Sequence, residues 1–319
     1  MIRVIVPSVV LASAVACSGG GGDAAIIVDP PAPTVASVTV VPGSVSLDPG
    51  ATRKLTANAR DASGASISGT TFTWTTSAPS IASVSIDGTV TALAGGSATI
   101  YATAAGKTGS ATITIDHVYD LAALGAPAII TADYIELAKI ARISRFRSGI
   151  GHDYSDDAER CRSMKHYFQP RGDVDWSNVV VSSPVAGTIV SMQNETTFGQ
   201  QVKITSAIQP AVTVILFHVR PDAGVGVGSA VTPGQRLGTH IGTQTMSDVA
   251  IKARTPTGTR NISYFDAMTD AVFQSYVTRG IASRSATAIG AAERDASPLV
   301  CDGEQFQGAG TLANWVEVR

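Results

Sequence analysis

Beyond its first sixteen residues the 319-residue chain has no apolar run near the roughly 18 residues that a membrane-crossing helix needs. Charge is also scarce. Asp, Glu, Lys and Arg make up 15% of the residues and aromatics 6%, against 31 glycines. That balance excludes a charge-laced helical bundle and describes a Ser/Thr/Gly/Val-rich β protein. No basic excess is present, since the net charge is −2, and this removes the electrostatic footprint of a nucleic-acid partner. Cysteine is limited to three residues, and none stands in a Cys-x-x-Cys pair, the spacing of many structural zinc sites.

What is present begins with a targeting pattern. Arg3 gives a minimal positive region, Val4 to Ala16 an apolar one, and Ala14-Val-Ala-Cys17 closes it. Small residues before a cysteine resemble a bacterial lipobox, in which Cys17 becomes the acylated N-terminus. Ordinary secretory cleavage after Ala-x-Ala is the alternative. The Gly-rich and then Pro-rich stretch over 18–34 is a flexible to semi-extended tether, which suits a lipid-anchored protein. The segmentation expected is a signal peptide over 1–17, the tether, a first domain over 35–115, a junction over 116–139 and a second domain over 140–319. The location expected is a bacterial cell envelope, held by lipid at a membrane or, alternatively, secreted. With Cys17 lipidated, Cys161 and Cys301 remain as an even pair, and an oxidising compartment favours a disulfide between them. Two zinc-ligating thiolates are the alternative.

From Val35 to Ile115 apolar residues alternate with polar ones, and turn signals interrupt at Asp48-Pro-Gly50, Ala62-Ser-Gly64, Asp87-Gly88 and Gly95-Gly96. Seven short strands around Trp74 predict an Ig-like β-sandwich. The wording itself, Val35-Ala-Ser-Val-Thr-Val-Val-Pro42, Phe72-Thr-Trp-Thr-Thr-Ser77, Ile81-Ala-Ser-Val84 and Gly95-Gly-Ser-Ala-Thr-Ile100, resembles the group 2 bacterial Ig-like domain. The resemblance implies a spacer or adhesion module.

Four of the five histidines follow residue 150: His152, His166, His218 and His240. His152-x-x-x-Asp156, after a Gly-rich turn, offers an imidazole and a carboxylate to one cation such as zinc. A surface turn with a hydrogen-bonded histidine is the plainer alternative. Strand-like runs recur at Val179–Val181, Gly187–Val190, Gln201–Ile204, Val212–Val219 and Val249–Ile251. Asp133 to Arg145 fits neither the helical nor the strand period, and His117 in the junction has no assigned role. Tyr264, Phe265, Met268, Val272, Phe273, Tyr276 and Val277 predict an amphipathic helix over about 263–279. Trp315 to Arg319 suits a last edge strand.

The order of phrases in this half is similar to the lysostaphin-type zinc endopeptidases of peptidoglycan. The matching segments are Ser144 to His152, Pro184 to Val190, Gly199 to Ile204, Phe217-His218-Val219 and Val231 to Gly238. The resemblance implies an antiparallel β-sheet domain with zinc on His152 and Asp156, and with His218 stabilising an oxyanion. It breaks at the closing His-x-His of that family, because the corresponding strand has Asp248-Val249-Ala250. A carboxylate stands where the base is expected and a methyl where the third ligand is expected. His166, His240 or Asp248 itself could complete a rebuilt site. The insert Asp156 to Pro170 also departs from the family. It either lines a ligand pocket, with His166, Lys165 and Glu159, or forms a Cys161-stapled loop rich in salt bridges.

Three functions follow: an envelope lipoprotein whose peptidase-like groove binds peptidoglycan or another surface glycan or peptide; an active zinc endopeptidase with an altered third ligand; or a structural or adhesion protein.

Overall fold

The computed structural model describes residues 33–242 and 245–319; the leader, Cys17 and nearly all of the tether lie outside the described residues. The chain is mainly β. Ten strands build the first domain: β1 Ser37–Val41, β2 Ser44–Leu47, β3 Thr52–Lys54, β4 Thr56–Arg60, β5 Ser66–Ile67, β6 Thr73–Thr76, β7 Ala82–Val84, β8 Thr89–Ala92, β9 Gly96–Ala104 and β10 Lys107–Ile115. They form small sheets ordered β1-β4-β5, β2-β10-β9-β6 and β3-β8-β7. The two-residue period puts Val38, Val40, Ala98, Ile100, Ala102, Ala111, Ile113 and Ile115 inside and threonines outside. Trp74 is half-buried, not central to the core: its indole lies across Gly88, where a β-carbon would stand 2.6 Å from the ring. Gly88 therefore serves both as the left-handed turn residue (φ 82°) and as the seat of that ring.

After the short helix α1, Leu121–Leu124, the second domain is built on β11 Ile140–Ser144, β12 His166–Pro170, β13 Val180–Ser182, β14 Gly187–Asn194, β15 Gln200–Ser206, β16 Val212–Pro221, β17 Ala230–Val231, β18 Arg236–His240, β19 Ser247–Thr255 and β20 Gly258–Ile262. The stretch that fitted neither period resolves into one 3₁₀ turn, Leu137–Lys139, followed by β11. Helices α2, Asp270–Val277, and α3, Ala291–Ala296, follow, and then β21 Cys301–Asp302, β22 Gln305–Phe306 and β23 Trp315–Glu317. The main path of the large sheet is β17-β14-β15-β16-β19-β12-β11-β23, so the C-terminal strand does close an edge, on β11.

The helix expected over 263–279 is shorter. Ser263 to Met268 fold as tight turns, with Ala267 donating to the Ser263 carbonyl and Met268 to that of Phe265. Turns bring the adjacent rings of Tyr264 and Phe265 together into the core. A regular helix would separate them by about 100°. One face of the sheet is thus covered, with Phe168, Val214, Leu216, Val249 and Ile251 against Tyr264, Phe265, Phe273 and Tyr276. Each such fully buried side chain contributes roughly 1.5–3 kcal/mol. The opposite face, carrying Ile215, Phe217 and Ala250 with Tyr154, forms a separate small apolar cluster. Cys161 and Cys301 are joined by a disulfide.

Candidate functional site

Strand parity decides what the open face presents. In β19, Val249 and Ile251 point to the core, so Asp248 and Ala250 point the other way. Tyr167 of β12 stands directly opposite Asp248 in the register, and Lys165, two residues before it, shares its face. The neighbours of Asp248 on the adjoining strand are therefore Lys165 and Tyr167.

Lys165 is 2% exposed, Asp248 fully buried, and the ammonium lies 2.5 Å from the Asp248 carboxylate. Burial disfavours both charges, but each holds the other: Lys165 stays protonated well above its ordinary range, and Asp248 is held below its own. The ammonium also sits 4.2 Å from the centre of the Phe217 ring, 4.8 Å from Tyr167 and 4.9 Å from Tyr154. It is caged by three aromatic faces, the setting in which cation–π attraction is strongest. Burial, with Asp248 adding repulsion, pushes the Tyr167 phenol up to about 12 against the relief that Lys165 gives. Its hydroxyl is pressed against Gly151, where a β-carbon would meet the oxygen at 1.9 Å; only glycine, here at φ 77°, lets the loop pass so close.

His152 reaches this cavity but is occupied. Its Nδ1 donates to the Asp153 carbonyl at 2.9 Å, and its Nε2 accepts from Lys165 at 3.2 Å. Asp156 has a different task. One oxygen accepts from the amides of Ala158 and Glu159, the other from the amide of Asn261 at 2.8 Å, which fastens the loop to β20. The geometry gives the two side chains separate partners.

His218 lines the cavity and adopts a left-handed backbone, φ 58°, unusual for a residue with a β-carbon. Its Nε2 lies 3.0 Å from Asp248, and its Nδ1 3.1 Å from both Glu195 and the Phe198 carbonyl. Its own amide donates to Glu195 at 2.9 Å, which helps hold the strained turn. Burial opposes protonation of the ring, but Asp248 and Glu195 outweigh it and raise the imidazole to about 10. The result is an alternating row: Lys165, Asp248, His218, Glu195. Glu195 and the aromatic cage carry no motif; Lys165 belongs to the insert read as a possible pocket lining, but only the parity of β12 and β19 could have set it and Tyr167 against Asp248.

The remaining histidines lie elsewhere. His166, opposite in parity to Lys165, is fully buried, donates to the Ser144 carbonyl and accepts from Ser263. Burial pushes it down to about 4. His240 is buried beside Trp176, accepts from the Gly242 amide and is likewise lowered to about 4, by burial and then by the His218 charge. The insert divides between its two readings. Lys165 joins the cavity, while Glu159 bridges Arg147 and Arg162 at 2.6 and 2.7 Å beside Cys161.

The cavity holds about 520 Å³ between Gly151, His152, Tyr154, Phe198, Phe217 and Met246. Among the described residues no group of three or more His, Cys, Asp or Glu side chains converges as a metal site would require. The residues around Asp248 do not fit zinc. A dication about 4 Å from the Lys165 ammonium would meet roughly 8 kcal/mol of repulsion at an effective dielectric of about 20, and the lone pair of His152 already accepts from that ammonium.

Residues 34–115 match the bacterial Ig-like domain (group 2), as their wording implied. No curated protein matches the chain. Similar solved structures include domains 4 and 5 of the S-layer protein SbsC, at 23% identity and a TM-score of 0.24 over 26% of this chain and 53% of that one. A glycyl-glycine endopeptidase of the lytM kind from Ruminococcus gnavus is similar at 13% identity, TM-score 0.27, over 32% of this chain and 43% of that one. A peptidase M23 structure from Pseudomonas aeruginosa is similar at 12% identity, TM-score 0.25, over 59% and 84% respectively. The chain thus spans about half the length of the SbsC fragment.

Proposed function

We propose that the second domain is a non-hydrolytic binding domain on a lysostaphin-like fold, displayed by its Ig-like spacer at a bacterial cell envelope and anchored there through Cys17. Its ligand is peptidoglycan or a related surface glycan or peptide. The observation that carries this reading is the Lys165–Asp248 pair. Where a hydrolase of this kind needs a dication to acidify water, the chain holds its own ammonium, neutralised by a buried carboxylate. His218 is equally engaged, its positive charge held between Asp248 and Glu195. What remains available is a cavity walled by aromatic rings, which suits the faces of sugars and the apolar parts of peptides.

The test takes the mature chain, measures bound metal after equilibration with zinc at neutral pH, and follows sedimentation with purified peptidoglycan sacculi. We expect less than about a tenth of an equivalent of zinc, no release of soluble fragments, and co-sedimentation reduced at least about fivefold by Phe217→Ala or Tyr154→Ala. Stoichiometric zinc that is lost in His152→Ala, together with release of soluble fragments, would instead establish the hydrolase. Absence of co-sedimentation would leave a structural role.

A further inference from the structure

The open face continues past Phe217. Along β16, Phe217, Ile215 and Thr213 share it. In the register Lys203 of β15 lies beside Ile215, and Lys252 of β19 lies beside Thr213. The apolar cluster of Ile215, Phe217 and Ala250, 1–4% exposed beneath Tyr154, lies between the first cavity and a second, of about 450 Å³, at the junction with the Ig-like domain. That domain supplies one wall through Gly96 and Thr114 to Asp116, with His117 following; Lys203, Lys252 and Arg254 line the other side.

The charges there do not balance. Arg254 is paired with Asp116 at 2.8 Å. Among the described residues Lys203 and Lys252 have no carboxylate at ion-pair distance. Both are half-buried. The Lys252 ammonium rests 4.8 Å from the centre of the Tyr154 ring. Burial, and then the charge of Lys203, lower its pKa, against weaker opposition from Asp156 and Asp157. The two unpaired lysines stand on strands flanking β16, about 9.6 Å apart across the sheet and two residues, about 7 Å, apart along it. Their backbones are thus about 12 Å apart, and their long stems can both bend toward one anion between them. Lys252, whose charged form burial and Lys203 both disfavour, is the cation that a bound anion would stabilise most.

We propose that this junctional cleft is a subsite for an anionic group, a carboxylate or phosphate, on an extended ligand whose remainder lies along the open face. The proposal rests on the groove of the proposed function for that remainder only; the anion site stands on its own residues. Fluorescein-labelled hexaglutamate and a linear hexaphosphate serve as separate probes, titrated by anisotropy against the mature chain at low ionic strength. At least one should bind, and whichever binds more tightly identifies the anion. Lys203→Gln/Lys252→Gln should weaken it at least about tenfold, while Lys107→Gln, an exposed lysine of the Ig-like domain, should change it less than about twofold. Thermal unfolding of each variant establishes that it is folded. Failure of both probes to bind the wild type, or equal binding by the double variant, overturns the subsite. Binding of an anion without co-sedimentation with sacculi would sink the peptidoglycan reading and leave the subsite intact.

Discussion

His218 shows how one residue's chemistry is set by what stands on either side of it. In isolation an imidazole titrates near pH 6.5; between Asp248 and Glu195 it is raised to about 10. A group whose folded pKa lies above its unfolded one stabilises the fold fully below the unfolded value, and loses that contribution as pH rises through the folded value. Stability should therefore fall between about pH 6.5 and 10 by something on the order of 5 kcal/mol. Lys165 does not contribute to this window, because its own shift is upward from an already high value. Urea midpoints measured across that range would show the slope, and His218→Gln should flatten it. A flat wild-type profile would mean that the imidazole is not held between its two carboxylates.

At the scale of elements, the disulfide fixes the insert. Cys161 and Cys301 close a loop of 140 residues, so in the chain-entropy account the crosslink stabilises by about 5 kcal/mol at 25 °C. Cys161→Ser/Cys301→Ser should lower the urea midpoint by an amount equivalent to roughly 3–5 kcal/mol, with the loss reproduced by reductant on the wild type. The segment just before Cys161 is tied to the one just after Cys301 as well, the Asp153 amide donating to the Glu304 carbonyl at 2.7 Å, and Asp156 accepts from the Asn261 amide. What was legible in the sequence divides along the same line. The strands of the first domain follow from local alternation, because each buries one face against its sheet partner and turns punctuate it. The pairing of Cys161 with Cys301 followed from cysteine number and compartment. The cavity was less accessible. His152 and Asp156 are close in sequence, yet their partners, Lys165 and Asn261, come from other elements. Whether Lys165 or His166 faces Asp248 depends on a register formed with a strand some eighty residues away. Tyr264 and Phe265 misled a helical periodicity because a turn can bury adjacent rings that a helix would part.

At the scale of the whole molecule, Arg254 is where the two domains meet. Its guanidinium lies 2.8 Å from Asp116 and 3.9 Å from Asp48, and its carbonyl accepts from the Tyr119 amide at 2.9 Å. The side chain is 54% exposed, so the ion pair is screened by water and contributes only about 0–1 kcal/mol. Arg254→Ala should accordingly leave the thermal midpoint nearly unchanged, within about 2 °C. The consequence of losing Arg254 is geometric. The backbone bond to Tyr119 can persist, but Asp116 loses its partner, and the segment leading out of β10 is less firmly seated. Proteolysis between about residues 116 and 126 should then accelerate several-fold while the rest of each domain stays resistant. The same variant separates two ways in which the junctional cleft could hold an anion. If a fixed angle between the domains forms the cleft, Arg254→Ala weakens hexaglutamate or hexaphosphate binding beyond the loss of one charge, and the salt dependence becomes shallower by more than one ion's worth. If Lys203 and Lys252 alone suffice, binding falls by little and the salt dependence is almost preserved. The side wall that Thr114 to Asp116 supply favours the first outcome, in which the Ig-like domain is part of the binding surface as well as its support.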